Sequence, residues 1–264
     1  MTTEPVATYE TLLAERDGPV VTLTMNRPAQ LNALYRQSYL DFEQALIWAR
    51  DDDSVRVVVV TGAGDRAFCA GGDKHLDLPV LSTLSSAGMV ADARIAQDTI
   101  LRIRELDKPV IARVNGVAVG GGCDIALACD LVIASRAASF GEFWILRGIL
   151  PAMGGGYFLP RLVGTHRAKE LIFTGDRIDA TEAERIGMIN RVVEAADLDD
   201  AVYGLARRLC ERSPLALGIS KKLIDVHAEG SLASYFEASA WADAMLVQSD
   251  EHAAGVQEMK RAED

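Results

Sequence analysis

The chain has 264 residues, 49% of them hydrophobic and 25% charged, enough to bury one large core or a core with an appendage. A net charge of −11, with basic residues in nothing longer than pairs such as Lys221-Lys222, argues against a nucleic-acid surface, which wants clustered Lys and Arg. The opening MTTEPVATYETLLAERDG has no basic n-region or apolar h-region, and no segment approaches the roughly 20 apolar residues that span a bilayer, so the expectation is a cytoplasmic protein with no membrane partner.

Taken in chain order, residues 10–15 and 20–25 read as two strands around the turn Asp17-Gly18, and residues 37–50 place apolar side chains at helical spacing. VRVVVVTGAG gives a strand over 55–61, apolar enough to be buried on both faces. A Gly-rich turn and a loop through Asp77 lead to a helix over 90–106. KPVIARVNG is a further strand that runs into the triplet Gly120-Gly121-Gly122 and a helix over 123–129, and DLVIAS is another strand. This alternation predicts an α/β core. From Gly154 the pattern turns helical, over 155–162, 166–173, 181–186, 198–212, 214–227 and 231–247. Thr181 with Glu184 has capping-box spacing, and Ser213-Pro214 sets a capping serine before a proline.

The four cysteines, Cys69, Cys123, Cys129 and Cys210, stand singly in apolar segments, with neither CxxC pairing nor zinc-like histidine spacing, and read as reduced core residues with no metal site.

Two Gly-rich turns follow buried strands: RAFCAGGDKH, residues 66–75, and the triplet at 120–122, which opens a helix. Each can present unpaired backbone N–H groups, and two such donors converging on one oxygen stabilise charge developing on a carbonyl. Either turn alone is equally well explained as a tight packing corner. A dinucleotide fingerprint fits Gly120 and Gly122 but has Ile125 at its third position, and no Gly-Lys-Ser/Thr follows either turn for a phosphate loop.

NRPAQLNAL (26–34), AFCAGGD (67–73), NGVAVGGGCDIALACD (115–130), SFGEFWILRGILPAMGGGYFLPRLVG (139–164) and ELIFTGDRIDATEAERIGMINRVV (170–193) together resemble the enoyl-CoA hydratase/isomerase, or crotonase, superfamily, in the expected order over nearly the whole chain. The resemblance implies an α/β crotonase-like fold of repeated ββα units over 1–195 and a helical oligomerisation region over 196–264. It implies homotrimers, often paired as hexamers, and acyl-CoA thioester substrates, with coenzyme A entering as part of the substrate and no separate cofactor. The thioester oxygen would be held by the amides of Gly72 and Gly121. CoA would lie along the backbone from Pro28 through Ala29 to Leu31 and from Ala67 through Cys69 to Ala70, with Arg27 and Lys74 the nearest cations for its phosphates.

The chain departs from the hydratase pattern at both acid/base positions. The first glutamate is replaced by Asp124, which keeps a carboxylate one methylene shorter, and the second by Trp144, which transfers no proton and can wall an acyl pocket or donate its indole N–H to a substrate oxygen. Glu142 shares a face with Trp144 if that segment is extended, and is the replacement carboxylate, against a structural acid as the plainer reading. The aspartate that some isomerases carry after the proline of GILP is Ala152 here. His75 suits acid/base work if it reaches the acyl group, Asp73 orders its turn, Arg147 is an ion-pair candidate for either acid, and Met153 lines the pocket.

The expected activity is of enoyl-CoA hydratase type, through a thioester enolate. An isomerase, a CoA-thioester or C–C hydrolase using the same hole, and a non-catalytic acyl-CoA binder remain as alternatives.

Overall fold

A computed structural model describes residues 4–76, 78–81, 83–228 and 230–263. The strands are β1 (Glu4–Thr8), β2 (Leu12–Asp17), β3 (Val20–Met25), β4 (Val57–Gly62), β5 (Ala67–Cys69), β6 (Val110–Val114), β7 (Val117–Val119), β8 (Leu131–Ser135), β9 (Ser139–Gly141), β10 (Arg177–Asp179) and β11 (Arg191–Val193). They form a seven-stranded sheet in the order β1-β2-β3-β4-β6-β8-β11 and a four-stranded sheet in the order β10-β9-β7-β5. In the larger sheet β1, β2 and β3 run antiparallel, and β3 through β11 are parallel.

The run VVVVTG is buried along its whole length, because β4 is covered on both faces. Val58 and Val60 face the main core with Leu23 and Val110, whereas Val57 and Val59 join Val20, Ile111 and Ile133 beneath Leu198, Val202 and Ala206. That period-2 split is what a doubly covered strand requires. Helices Arg36–Asp51 and Ser86–Glu105 bury Phe42, Leu46, Ile100 and Ile103 in the main core, and helix Leu198–Cys210 covers the opposite face. The first helix of the C-terminal region therefore packs directly on the sheet.

In the smaller sheet β5, β7 and β9 are parallel neighbours, and β10 closes it antiparallel. Each of these strands has three residues, and each pairs with a partner distant in sequence, so no periodicity announces them. β1, β11 and helices Leu78–Leu81 and Asp250–Glu263 likewise lay outside the sequence expectation.

Two local readings need correction. Helix Ala180–Arg185 is capped by Asp179, whose carboxylate accepts from Glu182 N–H, so the Thr181/Glu184 spacing is not its cap. Cys210 is half-buried rather than a core residue, unlike Cys69, Cys123 and Cys129. Ser213 does cap helix Pro214–His227, accepting from Ala216 N–H. Among the described residues no helix is long and apolar enough to cross a membrane.

Candidate active site

Three parallel strands deliver the site from their C-terminal ends, where α/β sheets characteristically bind ligands. β5 runs into Gly71-Gly72, β7 into Gly120-Gly121, and β9 into Glu142. Gly120 N–H continues the β7–β9 pairing by donating to Gly141 O at 2.8 Å, which places Glu142 beside the helix Gly121–Ala128.

The two Gly-rich turns touch. A Cβ on Gly71 would lie 3.5 Å from Gly121 N and 2.7 Å from Val119 O, so this turn excludes a side chain. Within the triplet, Gly120 has φ +53°, open to glycine, and a Cβ on Gly122 would come within 2.3 Å of Cys69 O. The triplet thus serves a left-handed entry and a helix start pressed against β5.

Leu34 N–H donates to Gly71 O at 2.8 Å and Asp73 N–H to Leu34 O at 2.7 Å, so the intervening Gly72 N–H points away from Leu34. Gly121 is the first residue of its helix and has no intrahelical acceptor. Among the described residues neither amide donates to a protein acceptor.

Asp124, on the first turn of that helix, is 0% exposed, and Glu142 is 2% exposed. A single point, where a Cβ on Gly155 would sit, is 2.7 Å from Glu142 Oε1 and 2.8 Å from Asp124 Oδ1, so the carboxyl groups are neighbours. Asp124 Oδ1 and both Glu142 oxygens lack a hydrogen-bond partner. Asp124 Oδ2 accepts from the Trp144 indole N–H at 3.2 Å.

Burial raises the Asp124 carboxyl to about 7, against the opposing pull of the Trp144 indole and of the Gly155 amide, which falls short of a formed hydrogen bond. Glu142 is pushed well above the usual carboxylate range, by burial first and by the Asp124 charge second. Both carboxyls are thus raised, by burial first, with the Asp124 charge further disfavouring ionisation of Glu142. Arg147 is exposed and neutralises neither.

Trp144 departs from its expected geometry. Phe143–Arg147 is a 3-10 turn rather than extended chain, so the argument that Glu142 and Trp144 share a strand face fails. The indole instead packs against Gly120, whose Cβ would lie 3.7 Å from the ring, and its N–H goes to Asp124, not to an open pocket. Nothing in sequence spacing signals that contact. Replacing Trp144 with Phe keeps the ring and deletes the donor that favours ionised Asp124, so the acid limb of a pH–rate profile should move to higher pH. An unmoved limb would mean that the indole does not tune the pair.

The remaining predicted residues divide by exposure. Ala29 is exposed, Leu31 half-buried, and Ala70 N–H donates to Leu31 O at 3.0 Å, which joins the two expected CoA-binding segments. Leu31 and Asn32 both have positive φ, and the buried Asn32 amide holds the loop by donating to Ala63 O and Ala67 O. The Ala67 and Cys69 side chains are buried, leaving only main chain there for a ligand. Arg27 is tied to Asp73 at 2.8 Å, donates to Ala33 O, and lies over the Tyr35 ring, so its guanidinium is already engaged. Asp73 accepts from His75 and Leu76 N–H, ordering the turn, while Lys74 and His75 are exposed. Met153 is buried, its sulfur 3.2 Å from where a Gly121 Cβ would be, and it accepts from Tyr39 Oη at 3.3 Å. Among the described residues no three His, Cys, Asp or Glu side chains group to hold a metal.

The profile of the enoyl-CoA hydratase/isomerase family matches residues 15–263. Crotonyl-CoA hydratase of Syntrophomonas wolfei is 38% identical over 213 residues, covering 81% of this chain and 80% of that protein. Short-chain-enoyl-CoA hydratase of Clostridium acetobutylicum is 36% identical and covers 92% of each. The crystal structure of enoyl-CoA hydratase from Bacillus anthracis superimposes with a TM-score of 0.90 at 31% identity, covering 96% of this chain and 97% of that one.

Proposed function

Because the chain belongs to the enoyl-CoA hydratase/isomerase family and has the crotonase fold, we propose that it adds water across the double bond of 2-enoyl-CoA thioesters. The observation that carries the reading is the junction of two touching glycine turns, with unpartnered amides, and two adjacent buried carboxyl groups. The Gly72 and Gly121 amides receive the thioester oxygen and stabilise the enolate. Asp124 as carboxylate takes a proton from water, whose oxygen bonds to C3, while the Glu142 carboxylic acid delivers a proton to C2. A proton passing from Asp124 to its neighbour Glu142 restores the starting state. CoA lies along residues 28–31 and the 67–70 backbone, with the exposed Lys74 as the cation for its phosphates; Arg27, bound to Asp73, shapes the lip instead.

Mass spectrometry of 2-enoyl- and 3-enoyl-CoA thioesters incubated with enzyme in D2O tests the proposal. A product heavier by one water with deuterium at C2 is the expected result. Double-bond migration without added water would support an isomerase, which needs only one base, and release of free CoA would support a hydrolase. Binding with no reaction across the series would support a non-catalytic carrier.

The proposed assembly is a homotrimer or homohexamer. Helix Leu232–Val247 exposes Leu232, Phe236, Trp241 and Met245, a larger apolar display than a lone surface helix carries. Light scattering should give three or six times the 28.5 kDa chain mass; a value at the single-chain mass overturns it.

A further inference from the structure

A cleft of about 840 Å3 lies between helix Ser86–Glu105, residues 152–158 and helix Pro214–His227. Its apolar wall includes Ile100, Leu101, Met153, Phe158 and Val226. The volume is that of a site for a sizeable ligand, far more than the four carbons of a crotonyl group need.

Three side chains crowd Gly121: Met153, Leu34 and Tyr39. Of these only Met153 also lines the cleft. It therefore stands as the wall between the proposed thioester site and the cleft. Methionine is unbranched, with three rotatable bonds, and beyond apolar packing at the core's edge Met153 has the weak Tyr39 hydroxyl–sulfur hydrogen bond. Such a side chain can turn aside for a chain of similar width, whereas a rigid ring would need a permanent opening.

Resting on the hydratase reading for the position of the thioester, we infer that Met153 is a gate and that the cleft takes the distal part of an unbranched apolar acyl chain of roughly eight carbons or more. The charges at the cleft fit an apolar rather than an acidic tail. Arg104 is paired with Asp225 and faces Asp130, and Lys222 is paired with Asp107, so both lining cations are already neutralised. Gln97, also in the lining, donates to Ala152 O at 3.0 Å and fixes the edge of the segment that carries Met153.

Calorimetric titration with saturated butyryl-, octanoyl- and dodecanoyl-CoA reads the cleft without requiring turnover. Affinity should rise with length, by up to about fourfold per buried methylene. Leu101→Trp, which fills the far wall, should remove most of that gain, and Met153→Ala should steepen it. Paired assays with the matching 2-enoyl-CoA series should show kcat/KM for dodecenoyl over crotonyl thioester rising about tenfold in Met153→Ala and falling in Met153→Phe. Affinities flat from C4 to C12, or a length dependence that neither Leu101→Trp nor the Met153 variants alter, overturn the inference even if crotonyl-CoA is hydrated. The expected length dependence without hydration of any thioester leaves the cleft assignment standing and removes the hydratase reading.

Discussion

Asp124→Asn should lower kcat for hydration of a 2-enoyl-CoA by about 10²- to 10⁴-fold, the range for losing a positioned acid or base. KM should change little, because the proposed contacts to the thioester oxygen are main-chain amides. The same substitution should make the fold more stable at alkaline pH. Asp124 is buried beside Glu142 with one oxygen unpartnered, and its carboxyl is raised to about 7 from an ordinary value of 3.8. A raised carboxyl pKa means the folded state binds the proton more tightly than the unfolded chain does. Its stabilising contribution is complete below pH 3.8 and is lost as pH climbs through about 7. Asparagine carries no charge to desolvate, so the melting temperature of the variant relative to wild type should be flat at low pH and climb between those limits. The gain should be about 2–4 °C for each kcal/mol of relieved charge burial. Calorimetry at pH 4.5 and pH 8.5 reads the difference. Unchanged kcat would remove Asp124 from the chemistry, and an equal melting difference at both pH values would show that its charge is not strained.

Gly121→Pro should cost about 10²- to 10³-fold in kcat, the typical effect of deleting one oxyanion donor. Proline is well suited to this test because Gly121 is the first residue of helix Gly121–Ala128, the position where a helix tolerates proline and has no intrahelical use for the N–H. The added Cβ would meet Met153 Sδ, Leu34 Cδ1 and Tyr39 Oη at 3.2–3.5 Å, ends of side chains that can yield. Gly121→Ala supplies the control for crowding at the Cβ, since it adds that carbon and retains the amide. Equal losses in the two variants would assign the effect to crowding and leave the amide without a role.

Much of the larger sheet was legible because its inner strands β3, β4, β6 and β8 are apolar runs rich in β-branched residues, with β4 buried from Val57 to Gly62. The two glycine turns were legible as donors from their glycine runs, downstream of the buried strands β4 and β6. The smaller sheet was not, since β5, β7, β9 and β10 have three residues each and acquire meaning only through long-range pairing. The site inherits that division. Gly72, Gly121 and Asp124 could be named from motif position, whereas the indole–carboxylate contact of Trp144 depends on a 3-10 turn that extended-chain reasoning placed wrongly. Arg27 shows the same limit: its basic side chain suggests phosphate, and only the fold reveals Asp73 within 2.8 Å.

The amides of Gly72 and Gly121 belong to the backbone, while the proposed acid and base, Asp124 and Glu142, and the Trp144 indole that donates to Asp124 are side chains. Point mutation can therefore rewrite the second set without dismantling the first. Lineages built on this scaffold can lose one activity and acquire another while still gripping the same handle on their ligands. Replacing both acids would leave every main-chain donor of the proposed oxyanion site in place, so the grip on the ligand and the reaction can change independently here.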